Sequence, residues 1–160
     1  MLSKESFTEA EWAKAIALPG LVMGAAALAD GRKLVSTVRE VVAGSEAFKA
    51  TAAKYPDNAL VSAFLTNDQS ASAAPYADEN APKPRNMAEA VELITAQIGQ
   101  IIPTIKEKAT PEEFAAVRDV LMAAAHAVVE RTGSGALGFG GEQVDEGERA
   151  FMDELDTLLS

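Results

Sequence analysis

Met87, Val91, Ile94, Ile98, Ile101 and Ile105 recur at alternating spacings of four and three residues. That rhythm gathers large apolar side chains on one side of an α-helix, whereas a strand would scatter them over both faces. A stripe of this length must be buried against other helices, so it commits the chain to a helical architecture. Pro103 falls inside it. Proline has no amide hydrogen and crowds the preceding turn, which predicts a kink or break near Ile101 and Ile102.

Helix starts are marked by three capping boxes: Thr8 with Glu11, Thr110 with Glu113, and Asp145 with Glu148. In each, a short side-chain oxygen can accept from an unpaired amide of the first turn while the glutamate reaches back to the cap. Phe7 precedes the first box and is placed to act as a hydrophobic staple. The first helix is therefore expected from Glu9, ending before Pro19 because the residue preceding proline is pushed out of helical geometry. Proline suits the first turn of a second helix reaching about Ala29, where Asp30-Gly31 breaks it. Within that helix Gly20 and Gly24 predict room for a neighbouring backbone.

A third helix is expected from about Lys33 to Ala43, with Leu34, Val35, Val38, Val41 and Val42 as its apolar face. Gly44-Ser45 predicts a stop and a new cap, followed by a fourth helix from Glu46 to about Lys54. Pro56-Asp57-Asn58 predicts a turn, and Ala59 to Leu65 a short apolar helix. Residues 67–86 have no apolar period and read as one long mobile loop. After Thr110 and Pro111, a helix ended by Gly133 should bury Phe114, Val117, Leu121, Ala124 and Val128. The last, reaching about Leu159, should bury Phe151, Leu155, Leu158 and Leu159. The fold expected is all-α, a compact bundle of six or seven helices in a single domain spanning residues 1–160.

Composition narrows the chemistry. Alanine runs such as Ala25-Ala26-Ala27 suit close helix packing, and aromatics are only 6% of the 160 residues. The chain contains no cysteine, so disulfides, thiolate metal sites and cysteine nucleophiles are excluded. Its net charge is −10, and residues 1–66, with seven basic and seven acidic side chains, contribute none of it. The acidic excess sits entirely in the rest of the chain. No nucleic-acid partner is expected, because phosphate binding needs a basic face. Basic proteins and divalent cations are compatible with such a surface, as is a purely solubilising role.

The uncharged stretch from Ala15 to Ala29 imitates an export signal, but Glu5, Glu9 and Glu11 outnumber Lys4 and Lys14 ahead of it. At 15 residues it is too short for a membrane span, so a buried helix pair in a cytoplasmic protein is expected. Residues 133–138, reading Gly-Ser-Gly-Ala-Leu-Gly, fit the dinucleotide fingerprint in letters only, since a helix rather than a strand is expected before them. His126 is the sole histidine, with Glu130 one turn away, a pair that reads as a surface contact. Glu89, Glu92 and Asp119 read as solvated outer positions. No constellation of residues points to catalysis.

Ala27-Leu28-Ala29-Asp30-Gly31 with Glu40 downstream resembles the turn of the tellurite-resistance TerB-like helical family. Val144-Asp145 with Glu148 is similar to the same unit, with its Asp-Gly turn lost. The resemblance implies a helical bundle, a stress-related role and metal contacts through Asp30, Glu40, Asp145 and Glu148. Oxygen-only ligands of this kind would select Ca²⁺ or Mg²⁺. Helix capping explains the same four residues without a metal. The expected function is therefore that of a non-enzymatic protein without a cofactor, acting on a protein partner or by homo-oligomerisation. Cation or small-ligand binding at the acidic turns is the alternative, and an enzyme of unrecognised type comes third.

Overall fold

A computed structural model describes residues 1–29, 37–67, 83–133 and 146–160, with the backbone alone for 37–41 and 131–133. Among the described residues a 3-10 turn at Lys4–Ser6 leads into α1 (Glu9–Ile16), α2 (Leu18–Ala29), α3 (Thr37–Ala52), α4 (Ala59–Thr66), α5 (Met87–Lys108), α6 (Pro111–Gly133) and α7 (Glu146–Leu158). No strand occurs among them. The expected loop at 67–86 falls largely on residues 68–82, which lie outside the described residues, as does the glycine-rich segment after Gly133.

The middle of the bundle is α2. Its sequence has no charge and is apolar on every side, and such a helix is stable in water only when surrounded. Accordingly Leu18, Leu21, Val22, Met23, Ala25, Ala26 and Ala27 are all buried, and α2 touches α3, α5, α6 and α7. The stretch that imitates an export signal is thus the core helix. No single described helix is long and apolar enough to cross a membrane, and the joined pair α1 and α2 bends by 42° at its break.

The capping boxes read from sequence form where their residues are described. Thr8 Oγ1 accepts from the Glu11 amide at 3.2 Å, and Glu11 Oε2 accepts from the Thr8 amide at 2.8 Å. Phe7 meets Trp12 with ring centroids 5.5 Å apart, completing the staple. Thr110 and Glu113 make the same reciprocal pair at 3.2 and 2.9 Å. The third box, Asp145 with Glu148, lies outside the described residues on its cap side.

Two caps also join elements far apart in sequence. Asn58 Oδ1 accepts from the Val61 amide at 3.1 Å to start α4, and its Nδ2 donates to the Glu113 carbonyl of α6 at 3.0 Å. Asn67 Nδ2 donates to the Ile16 carbonyl at 3.1 Å, tying the end of α4 to the end of α1. No buried side-chain nitrogen or oxygen among the described residues lacks a hydrogen-bond partner.

The break expected at Gly44-Ser45 does not occur: α3 runs through both residues. The glycine serves packing instead. A β-carbon built there would stand 2.6 Å from Val128 Cγ2 on α6 and 2.9 Å from Met23 Sδ on α2, so only hydrogen fits where the three helices cross. Ser45 Oγ points at the same Met23 sulfur, 3.9 Å away. The requirement for close approach outweighs the modest helix cost of one glycine.

The opposite correction applies to Gly24, where a β-carbon would meet nothing within 4 Å. That position is not a packing notch. Val42 is corrected too: it is 53% exposed rather than part of the apolar face of α3. Leu34 and Val35 lie outside the described residues and Val38 and Val41 are placed by backbone alone; among its described side chains α3 buries Phe48 and Ala52, the former against Phe64 of α4 at 6.2 Å between centroids.

The expected break at Pro103 is also absent, since α5 is helical from Met87 to Lys108. Pro103 sits on the exposed side, while Ile98, Ile101, Ile102 and Ile105 are buried around it. Only the Gly99 carbonyl forfeits an intrahelical donor, and the buried isoleucines hold the helix together across that gap. The inner face of α6 follows expectation at Val117, Leu121, Ala124 and Val128, with Phe114 half-buried. That of α7 does so at Phe151, Leu155 and Leu159, with Leu158 half-buried.

The two glycines should respond oppositely to alanine. Gly44→Ala is expected to lose about 1 kcal/mol or more, overpacking exceeding the helix gain. Gly24→Ala should gain up to about 1 kcal/mol. Urea unfolding of both variants beside the parent measures the two signs.

Candidate functional site

The four acidic residues singled out by sequence are not brought together within the described part of the molecule. Asp30 and Asp145 lie outside the described residues, and Glu40 is placed by backbone alone. Glu148, in the first turn of α7, is 1% exposed and belongs to the interior. Among the described residues no group of three or more histidine, aspartate or glutamate side chains could hold a metal ion. The segment resembling a dinucleotide fingerprint is entered from α6, so a helix stands where that motif needs a strand.

A concave surface forms elsewhere. The outer face of α6 carries Ala115, Arg118, Asp119, Met122, Ala123 and His126, and with Asp156 of α7 these line an open depression of about 410 Å³. They share one side because they recur at helical spacing opposite the buried Val117, Leu121, Ala124 and Val128. Met122 is half-buried and packs against the core beneath, and together with Ala115 and Ala123 it gives the depression apolar surface.

Two polar pairs fix its edges. Tyr55, just beyond the end of α3, donates from its hydroxyl to Asp119 Oδ2 at 2.7 Å. Arg118 donates through Nη2 to Asp156 Oδ1 at 2.6 Å, both side chains being about half exposed. An exposed ion pair of this kind adds at most about 1 kcal/mol to stability, so its main effect is to orient the two side chains. The Asp119 hydrogen bond pushes the Tyr55 phenol above its ordinary titration range, with partial burial and the carboxylate charge adding in the same direction. His126 is exposed at the next turn.

No family model, curated protein or solved structure matches the chain. The reading of the site therefore rests on its own geometry. An open depression with a small apolar floor and oriented polar edges suits contact with another surface. It is open rather than enclosed.

Sequence inspection places Asp119 on a solvated face, which is correct, but gives no hint of Tyr55 or Asp156 beside it. The contacts span 64 and 38 residues and depend on how α3 and α7 dock. The legible signal is on α6 alone, where a methionine stands in an otherwise polar and small outer stripe.

The Tyr55 bond is open to test by alkaline titration of tyrosine absorbance in a Tyr76→Phe background, where Tyr55 alone reports. Asp119→Asn should bring its titration down toward the ordinary phenol value. An unchanged midpoint would mean that the pair does not form in solution.

Proposed function

We propose that this protein acts by binding a partner protein through the α6–α7 depression, and that the partner presents a basic segment. The observation that carries the reading is the pre-ordered edge, Tyr55 with Asp119 and Arg118 with Asp156, around an apolar floor on packed helices. Side chains already held in place lose little freedom on binding, which is how a small surface gains affinity. The sign of the partner's charge follows from α7, whose exposed face carries Glu146, Asp153, Glu154 and Asp156 against the lone basic Arg149. Complementary charge speeds encounter and selects register, while the apolar floor supplies the contact that excludes water. Similarity of the Asp30 turn to TerB-like sequences adds a stress-related setting to this proposal.

The test is an NMR titration of the labelled protein with an amphipathic lysine- and arginine-rich peptide, alongside light scattering of the protein alone. Shifts should cluster at Met122, His126 and their neighbours on α6 and at Asp156. Met122→Arg should weaken binding by about 2 kcal/mol or more, as loss of a central apolar anchor does. Shifts spread over the whole acidic surface and indifferent to Met122→Arg would overturn the reading. So would a dimer that Met122→Arg dissociates, because the occupant would then be a second copy of the chain.

A further inference from the structure

We infer that residues 1–7 form an acid-released strap, latched across the junction of α5 and α6 by the Glu113 carboxylate. Glu113 Oε1 accepts from the Leu2 amide at 2.6 Å while Oε2 accepts from the Thr110 amide at 2.9 Å. One carboxylate thus caps α6 and holds a segment 111 residues away in sequence. The Leu2 side chain beyond that bond is fully buried in the core.

The remaining attachments fall on the same junction. Phe7 is buried against Trp12, Lys108 Nζ stands 5.6 Å from the Phe7 ring centroid, and the same ammonium lies 3.8 Å from Glu11 Oε2. Only two large apolar side chains of residues 1–7, Leu2 and Phe7, are buried. A segment with so few buried contacts opens locally at far less cost than the bundle unfolds. Its carboxylate bonds then decide whether it stays down.

Those bonds require the charged form. Amide hydrogen bonds, from Thr110 first and from Leu2, hold the Glu113 carboxyl below the usual carboxylate range against a smaller opposing effect of burial. Glu11 is held low chiefly by the Thr8 amide, and Glu5 chiefly by a backbone hydrogen bond together with the Ser3 hydroxyl; these bonds shape the N-terminal segment from within, and Glu113 is the carboxylate that ties it to α6. Groups whose folded values are depressed stabilise the closed state fully above the ordinary carboxylate range. That stabilisation is lost as pH falls through the depressed values.

The other charges at the junction are the α-amino group on the strap, Lys4 beside Glu5, and Lys106, Glu107 and Lys108 at the end of α5. Glu9 and Lys14 of α1 and Glu112 of α6 are on the same helices, and α4 contributes only the neutral Asn58. The cations keep their charge throughout acid titration, so the carboxylates set the response.

Trp12 is the only tryptophan and touches Phe7, so its fluorescence reports the strap while far-ultraviolet circular dichroism reports the helices. On acid titration the Trp12 signal should change at higher pH than the helical signal. Hydrogen exchange followed by mass spectrometry on the parent protein should show residues 1–7 losing protection before α5 and α6. Glu113→Gln keeps a capping side chain but removes the charge and one acceptor. At neutral pH its residues 1–7 should exchange on the order of tenfold faster than in the parent, with helix content unchanged. A single coincident transition in the parent protein, or parent-like exchange of residues 1–7 in Glu113→Gln, would overturn the proposal.

Discussion

Where α2, α3 and α6 cross there is room for a hydrogen atom and not for a methyl group. Gly44 fills that point between Met23 and Val128 and sets how closely α3 can approach α2 and α6. The close approach of α3 and α6 makes theirs the most extensive helix contact among the described residues. It presses α2 into the interior, where its uncharged surface needs to be. It also fixes the rotation of α6 about its axis. With Val117, Leu121, Ala124 and Val128 turned inward, Asp119, Met122 and His126 must face out, beside the Tyr55 turn on one flank and α7 on the other.

The same geometry separates two kinds of acidic residue. Glu5, Glu11 and Glu113 serve helix starts and the attachment of the N-terminal segment, and their charge is used locally in amide hydrogen bonds. The acids of α7 other than Glu148 are exposed, and Asp156 is the one drawn into an edge of the depression by Arg118. Net charge alone could not distinguish these roles. Capping carboxylates hold the bundle together, whereas an exposed acidic face acts on whatever approaches it.

Much of the fold was legible because helix rules are local. The isoleucine stripe of α5, the boxes at Thr8 and Thr110, the division of α1 from α2 at Pro19 and the inner faces of α6 and α7 all follow from spacings within a few residues. The misreadings share one cause. Gly44-Ser45 is a breaker by local propensity, yet tertiary packing needs a notch at Gly44, and of the kink or break expected at Pro103 the break does not occur. Gly24 looked like a notch and faces open space. The depression was invisible for a related reason: its edges join residues from α6 to Tyr55 and Asp156, and no periodicity within one helix encodes that meeting. Glu113 was recognised as a cap, but its second task, holding Leu2, depends on a contact no local pattern specifies.

The dependence on one crossing point is tested most directly by a double-mutant cycle of Gly44→Ala with Val128→Ala, each variant measured by urea unfolding. Val128→Ala alone should destabilise through the cavity it leaves, and Gly44→Ala alone through overpacking. Combined, the alanine methyl should occupy the space that the valine vacates, so the double variant should be more stable than the sum of the single losses predicts, by about 1 kcal/mol or more. Strictly additive losses would contradict the account, because they would mean that Gly44 and Val128 do not compete for the same space.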